Sequence, residues 1–124
     1  MARTGRLGDD TIWMRTGMSS IVELDDHRFD QEVADRHEPA LVVMTADWCR
    51  PCRTLMPVLE EVAGHYVDRV TIYRVDINAS PSLAARLGAR GVPTLCLFID
   101  GTLETTRVGA LSHDQLHQLL DEHL

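Results

Sequence analysis

The chain has 124 residues, 44% of them hydrophobic and 25% charged, with a formal net charge of −7. That is the length of one domain, enough for a core that needs no disulfide staples. The acidic balance and the lack of a basic block argue against nucleic acid and anionic membrane surfaces as partners. No apolar run approaches the ~20 residues that span a bilayer.

Residues 1–19 carry three Arg, two Asp and only the short apolar run Ile12-Trp13-Met14. Gly5, Gly8 and Gly17 interrupt them, and no period is sustained. A flexible N-terminal extension is expected, either as a tail or as an over-long start with Met18 as the initiator. Trp13 is the one residue suited to docking on the domain. The stretch lacks the ~7–15-residue apolar segment of a secretory signal, so a reducing, cytoplasmic compartment is expected.

Ser20 to Leu24 reads as a short first strand. Asp25 or Asp26 suits an N-cap for a helix running to about His37, with Phe29 and Val33 one turn apart and Pro39 ending it. Ala40 to Ala46 is almost continuously apolar, as in a strand covered on both faces. A helix starting near Arg50 follows. Its inward face is Leu55, Leu59, Val62 and Tyr66, and Pro57 inside it should bend it and deprive the Arg53 carbonyl of a donor. Val70 to Asp76 is a third strand. Ser80-Pro81 opens a short helix as N-cap and first-turn proline, and Gly88 stops it. Gly91-Val92-Pro93-Thr94 leads into a buried strand, Leu95 to Ile99. Asp100-Gly101 turns the chain into Thr102 to Val108 as a hairpin. Ser112 and Gln115 form a capping box for a last helix with Leu116, Leu119 and Leu120 inward. The order β-α-β-α-β-α-β-β-α predicts one α/β domain whose last two strands form a hairpin.

Within this frame Trp48-Cys49-Arg50-Pro51-Cys52 joins a buried strand to a helix start. A helix N-terminus offers unpaired N–H groups and about half a positive charge, both of which favour a thiolate. Pro51 fits the first turn, where its missing N–H costs nothing. The stretch reads as a redox dithiol. Three cysteines make no disulfide framework. Cys96 lies in an apolar run, where a small core residue is the expected role. His27, His37, His65, His113, His117 and His123 are scattered over presumed helix faces. His113 and His117 form an i, i+4 pair of the kind that binds metals, but a solvated helix face is the expected reading.

Trp48-Cys49-x-Pro51-Cys52 after an apolar strand, Pro57, Gly91-Val92-Pro93-Thr94, and Arg107-Val108-Gly109-Ala110-Leu111-Ser112 together resemble the thioredoxin family over roughly residues 20–124. The resemblance implies an α/β thioredoxin fold, a central mixed sheet of four to five strands flanked by four helices. It implies reversible reduction of protein disulfides, with Cys49 as the exposed attacking thiolate and Cys52 as the buried resolving thiol. Trp48, Val92, Pro93 and Gly109 would bind substrate. Pro93 would be a cis-proline facing the dithiol, Val92 would pair its backbone with the incoming peptide, and Arg50 and Pro51 would tune the thiol pKa. No cofactor is implied, and no metal is expected at the dithiol, where the cis-proline would block a fourth ligand. Disulfide-containing proteins and an NADPH-dependent thioredoxin reductase are the implied partners, in electron transport and cell redox homeostasis. A monomer is expected.

Three positions depart from the family pattern. Arg50 stands where glycine is usual, and a positive charge beside Cys49 should make the pair more oxidising unless solvent screens it. Val43 stands where a buried Asp usually takes the proton of the resolving thiol, and its neighbours Met44 and Thr45 replace common aromatics. Arg74 matches a lysine beside that Asp and needs another partner. Asp47 is one choice; a side chain snorkelling at the strand end is the other. These departures leave open an oxidase or isomerase, or a binding and assembly module with a redox-switch dithiol. A zinc or iron–sulfur site shared across a dimer is a weaker alternative, since one monomer offers two neighbouring thiols.

Overall fold

A computed structural model of the chain describes residues 20–124. The expectations for residues 1–19, including Trp13 and Met18, lie outside the described residues.

Five strands form one sheet in the order β1-β3-β2-β4-β5: β1 Ile21–Glu23, β2 Ala40–Thr45, β3 Thr71–Asp76, β4 Thr94–Ile99 and β5 Thr102–Val108. The first three run parallel, β4 is antiparallel to β2, and β5 to β4. β2 lies at the centre, and all six of its residues are buried, as its continuous apolarity requires. Alternation along it separates two cores. Leu41 and Val43 face α1 (Arg50–His65) and α3 (His113–His123), meeting Leu55, Leu59, Val62, Leu116 and Leu120. Ala40, Val42 and Met44 face the other way, toward Phe29, Val33 and the Leu83-Ala84 pair of α2 (Pro81–Arg86). Each fully buried Leu or Val on either face contributes about 1.5–3 kcal/mol by leaving water.

The helix expected from Asp25 to His37 is much shorter. Asp25 Oδ1 accepts the Arg28 N–H at 3.0 Å in the turn that precedes it, and the N-cap position falls to Phe29, which makes no side-chain cap hydrogen bond. The regular part is a single π turn over Asp30–Ala34, closed by the Asp35 N–H to the Asp30 carbonyl at 2.7 Å. The β4–β5 turn presses against its end. A Cβ at Gly101 would lie 2.5 Å from the Ala34 carbonyl oxygen, and Asp100 and Gly101 both take positive φ, at 56° and 78°. An Asp-Gly pair in that conformation is the tight hairpin turn the sequence implied. The predicted Ser80 cap also differs. Ser80 holds the cap position of α2, but its buried side chain makes no capping hydrogen bond. The other elements fall within a residue or so of their predicted places. The capping box is complete, with the Gln115 N–H donating to Ser112 Oγ at 3.1 Å and the Ser112 N–H to Gln115 Oε1 at 2.8 Å.

Candidate active site

The site lies where β2 ends and α1 begins. Ala46 carries the chain out of the sheet, and its carbonyl accepts the Cys49 N–H at 3.1 Å. Cys49 is extended at φ −92°, ψ 108°, the conformation of an N-cap. Its sulfur does the work a serine oxygen usually does: Sγ accepts the Cys52 N–H at 3.2 Å. One orphan donor of the helix is therefore spent on the sulfur that must become negative. Cys52 lies one turn into the helix with its Cα 5.3 Å from that of Cys49, and the two sulfurs are joined as a disulfide. Burial does not separate the two cysteines in this oxidised form. Cys49 is 3% exposed and Cys52 2%, so the expectation of an exposed Cys49 does not hold here. The cause is packing: both cysteines and Ala46 form a small apolar cluster with Ile77 and Val92.

Val92 belongs to the loop before β4. Its carbonyl oxygen stands 3.5 Å from Cys49 Sγ, and the Val92–Pro93 bond is cis. The Pro93 carbonyl accepts the Gly109 N–H at 2.8 Å, and Gly109 holds φ +102°, a backbone conformation that glycine adopts without strain. The loop after β5 is thereby fastened to the proline loop. Trp48 is 66% exposed. With Ile77, Ala89, Arg90 and Val92 it lines a shallow cavity of about 220 Å³ beside the dithiol. Arg50 and Pro51 lie exposed on the first turn of α1. The structure thus brings Cys49, Cys52, Trp48 and Val92 together, ties Pro93 to Gly109, and leaves Arg50 and Pro51 on the open side of the helix start.

Val43 is fully buried, among Leu55, Leu95 and their neighbours. Arg74 pairs in register with Val43, and its guanidinium reaches outward. Nε donates to Thr45 Oγ1 at 3.1 Å, Nη1 to Glu23 Oε2 at 3.1 Å, and Nη2 lies 3.8 Å from Asp47 Oδ1. Asp47 is therefore a partner of Arg74, and Glu23 a closer one. Sequence reasoning missed Glu23 and Thr45 because their nearness depends on β1 and β2 flanking β3. It also missed the cavity residues Ile77, Ala89 and Arg90, which carry no local signal. Cys96 belongs to the opposite core, fully buried, where burial pushes its thiol pKa up. It stays protonated and inert.

A dithiol at a helix start, walled by a cis-proline loop on a five-stranded mixed sheet, defines a thiol–disulfide oxidoreductase. The thioredoxin family model matches residues 20–122. The thioredoxin of Allochromatium vinosum is 42% identical over 104 residues, covering 84% of this chain and 97% of its own. Those of Acidithiobacillus ferridurans and Pseudomonas aeruginosa are each 41% identical, covering 85% and 84% of this chain and 97% and 96% of theirs. The chain belongs to the thioredoxin family, and its Cys49–Cys52 pair makes it a dithiol protein-disulfide reductase.

Proposed function

We propose that Cys49 is the attacking thiolate and Cys52 the resolving thiol. The hydrogen bond from the Cys52 N–H to Cys49 Sγ carries this reading. That donor, with the helix dipole behind it, stabilises charge on Cys49 and not on Cys52. In the reduced protein Cys49 S⁻ attacks one sulfur of a substrate disulfide. The S–S bond breaks, a mixed disulfide forms, and the first substrate sulfur leaves as a thiolate that takes a proton from water. Cys52, once deprotonated, attacks Cys49 Sγ. The Cys49–Cys52 disulfide forms and the second substrate thiolate leaves, two electrons having passed to the substrate.

Substrate docks as an extended segment across Trp48, the Val92–Pro93 loop and Gly109. The apolar cavity and the exposed indole favour such a segment, and the Val92 carbonyl beside the reacting sulfur favours backbone pairing. Arg50 and Pro51 tune the first turn from its open side. Residues 20–124 form the working domain, with residues 1–19 as an extension to it. A NADPH-dependent flavoprotein reductase returns the dithiol to its reduced state, in the cytoplasm. No helix among the described residues is long and apolar enough to cross a membrane.

Turnover of an insulin-type disulfide substrate, with a chemical reductant supplied, tests the reading. Rapid reduction that is lost in Cys49→Ser is expected. Absence of turnover in the unaltered chain would favour a binding module on the same scaffold.

A further inference from the structure

The packing of α1 against α3 creates a cluster that the dithiol chemistry does not use. His65 ends α1, and His113 and His117 lie one turn apart at the start of α3. Each offers one ring nitrogen, and the three nitrogens lie within 4.8 Å of one another. His113 Nε2 and His117 Nε2 are 3.3 Å apart. Tetrahedral zinc with bonds of ~2.0–2.1 Å to nitrogen separates its ligand atoms by about 3.4 Å. That pair already has the edge length of such a site. His65 is exposed at the end of its helix, and its ring already faces those of His113 and His117, with centroids 6.4 and 5.3 Å away.

The hydrogen bonds behind His117 set its tautomer. The Tyr66 hydroxyl donates its one proton to Asp121 Oδ1 at 2.6 Å and stands 3.0 Å from His117 Nδ1. Having no second proton to give, it accepts from His117 Nδ1–H. Nε2 of His117 then carries the lone pair, aimed at His113. An imidazole whose far nitrogen is held by a Tyr–Asp relay is oriented as metal-bound histidines are. Glu61 supplies an oxygen nearby, with Oε1 3.6 Å from His113 Nε2, and it precedes His65 by four residues on the same face of α1.

We propose that His65, His113 and His117 form a binding site for a divalent transition-metal cation of the zinc type, with Glu61 or water as the fourth donor. Three imidazoles and one oxygen suit zinc, nickel or copper and do not suit calcium or magnesium. The site lies 16 residues along α1 from Cys49, roughly 24 Å away. The cation therefore joins the end of α1 to the first turns of α3 and has no part in thiol exchange. Because the site needs both helices in place, binding stabilises the fold.

The test titrates the oxidised, untagged full chain with zinc chloride by calorimetry. The disulfide keeps Cys49 and Cys52 from competing. One equivalent should bind with a dissociation constant in the micromolar range or tighter, and the melting temperature should rise with metal. His65→Ala and His113→Ala should each weaken binding at least about tenfold, the lower end of what losing even a residue that only supports a ligand costs, while insulin-type reduction stays intact and reports a folded chain. His123→Ala should bind as before. A cobalt(II) form should show tetrahedral visible bands without thiolate charge transfer. Failure to bind zinc, or binding that changes less than threefold in both variants, would overturn the proposal. The reductase assignment would be untouched by either result.

Discussion

At the scale of single residues, Val43 is the departure with a kinetic consequence. A valine among Leu55 and Leu95 accepts no proton, which leaves water or another group as the acceptor for the Cys52 proton. We propose that resolution of the mixed disulfide is the step this slows. Val43→Asp should shorten the lifetime of the mixed disulfide in stopped-flow or quench experiments, because burial raises the new carboxyl's pKa toward neutrality and makes it a base. The same burial should lower stability by at least ~1–3 kcal/mol, as for any poorly satisfied buried polar group. An unchanged lifetime would remove Val43 from the account of rate. The dithiol itself was legible in the sequence because its parts are contiguous: a buried strand, a cysteine, a proline and a helix. Burial of Cys49 was not, since it comes from Ile77 and Val92, 28 and 43 positions away. The partners of Arg74 were hidden for the same reason. Asp47 lies two positions beyond β2, whereas Glu23 reaches Arg74 only because β1 is the strand beside β3.

At the scale of elements, the predicted sheet and the three α-helices survive because each had a period, a cap or a breaker of its own. α1 is defined by Leu55, Leu59 and Val62 on one face, and α3 by its capping box. The stretch after β1 had Asp25, Phe29 and Val33 at helical spacing: Phe29 and Val33 are buried as expected, while Asp25 closes the turn before the helix and does not cap it. At its C-terminal end the helix meets a tertiary contact, the β4–β5 turn against Ala34, which no local signal announces. That contact explains why position 101 is glycine. A Cβ there would collide with the Ala34 carbonyl, at a φ that L-residues avoid. Gly101→Ala should destabilise by about 1–3 kcal/mol, read as a lower urea midpoint. Gly64→Ala, in the last turn of α1 where a Cβ meets nothing within 4 Å, should instead be neutral or stabilising. Equal effects at the two positions would mean that the turn does not press on Ala34.

At the scale of the whole molecule, each core holds a buried tyrosine, Tyr66 on the α1 side and Tyr73 on the α2 side. Tyr73 and Cys96 both lie in the core on the α2 side of the sheet. Burial pushes both above their ordinary values, with Glu32 adding to the effect on Tyr73 and the Thr106 hydroxyl slightly opposing it on Cys96. Both are neutral when protonated, so above the unfolded values of ~8.5 and ~10 the unfolded chain releases protons that the native chain keeps. Stability must fall with rising pH in that window. Urea midpoints should hold near neutrality and drop above about pH 9, and Tyr73→Phe should flatten the upper part of the fall. A midpoint that rises through the same range would contradict the burial argument. Packing at this scale also brings His65 to His113 and His117, 48 and 52 positions on. The sequence exposed the helical pair and nothing of its third member.

The central claim is that the two sulfurs have fixed and different roles, and trapping tests it most directly. Reduced Cys52→Ser and Cys49→Ser variants would be mixed with a protein disulfide substrate and the adducts weighed by intact mass spectrometry. The account predicts that Cys52→Ser accumulates a one-to-one mixed disulfide mapped by digestion to Cys49, while Cys49→Ser forms almost none. An adduct through Cys52 forming at a comparable rate would contradict it.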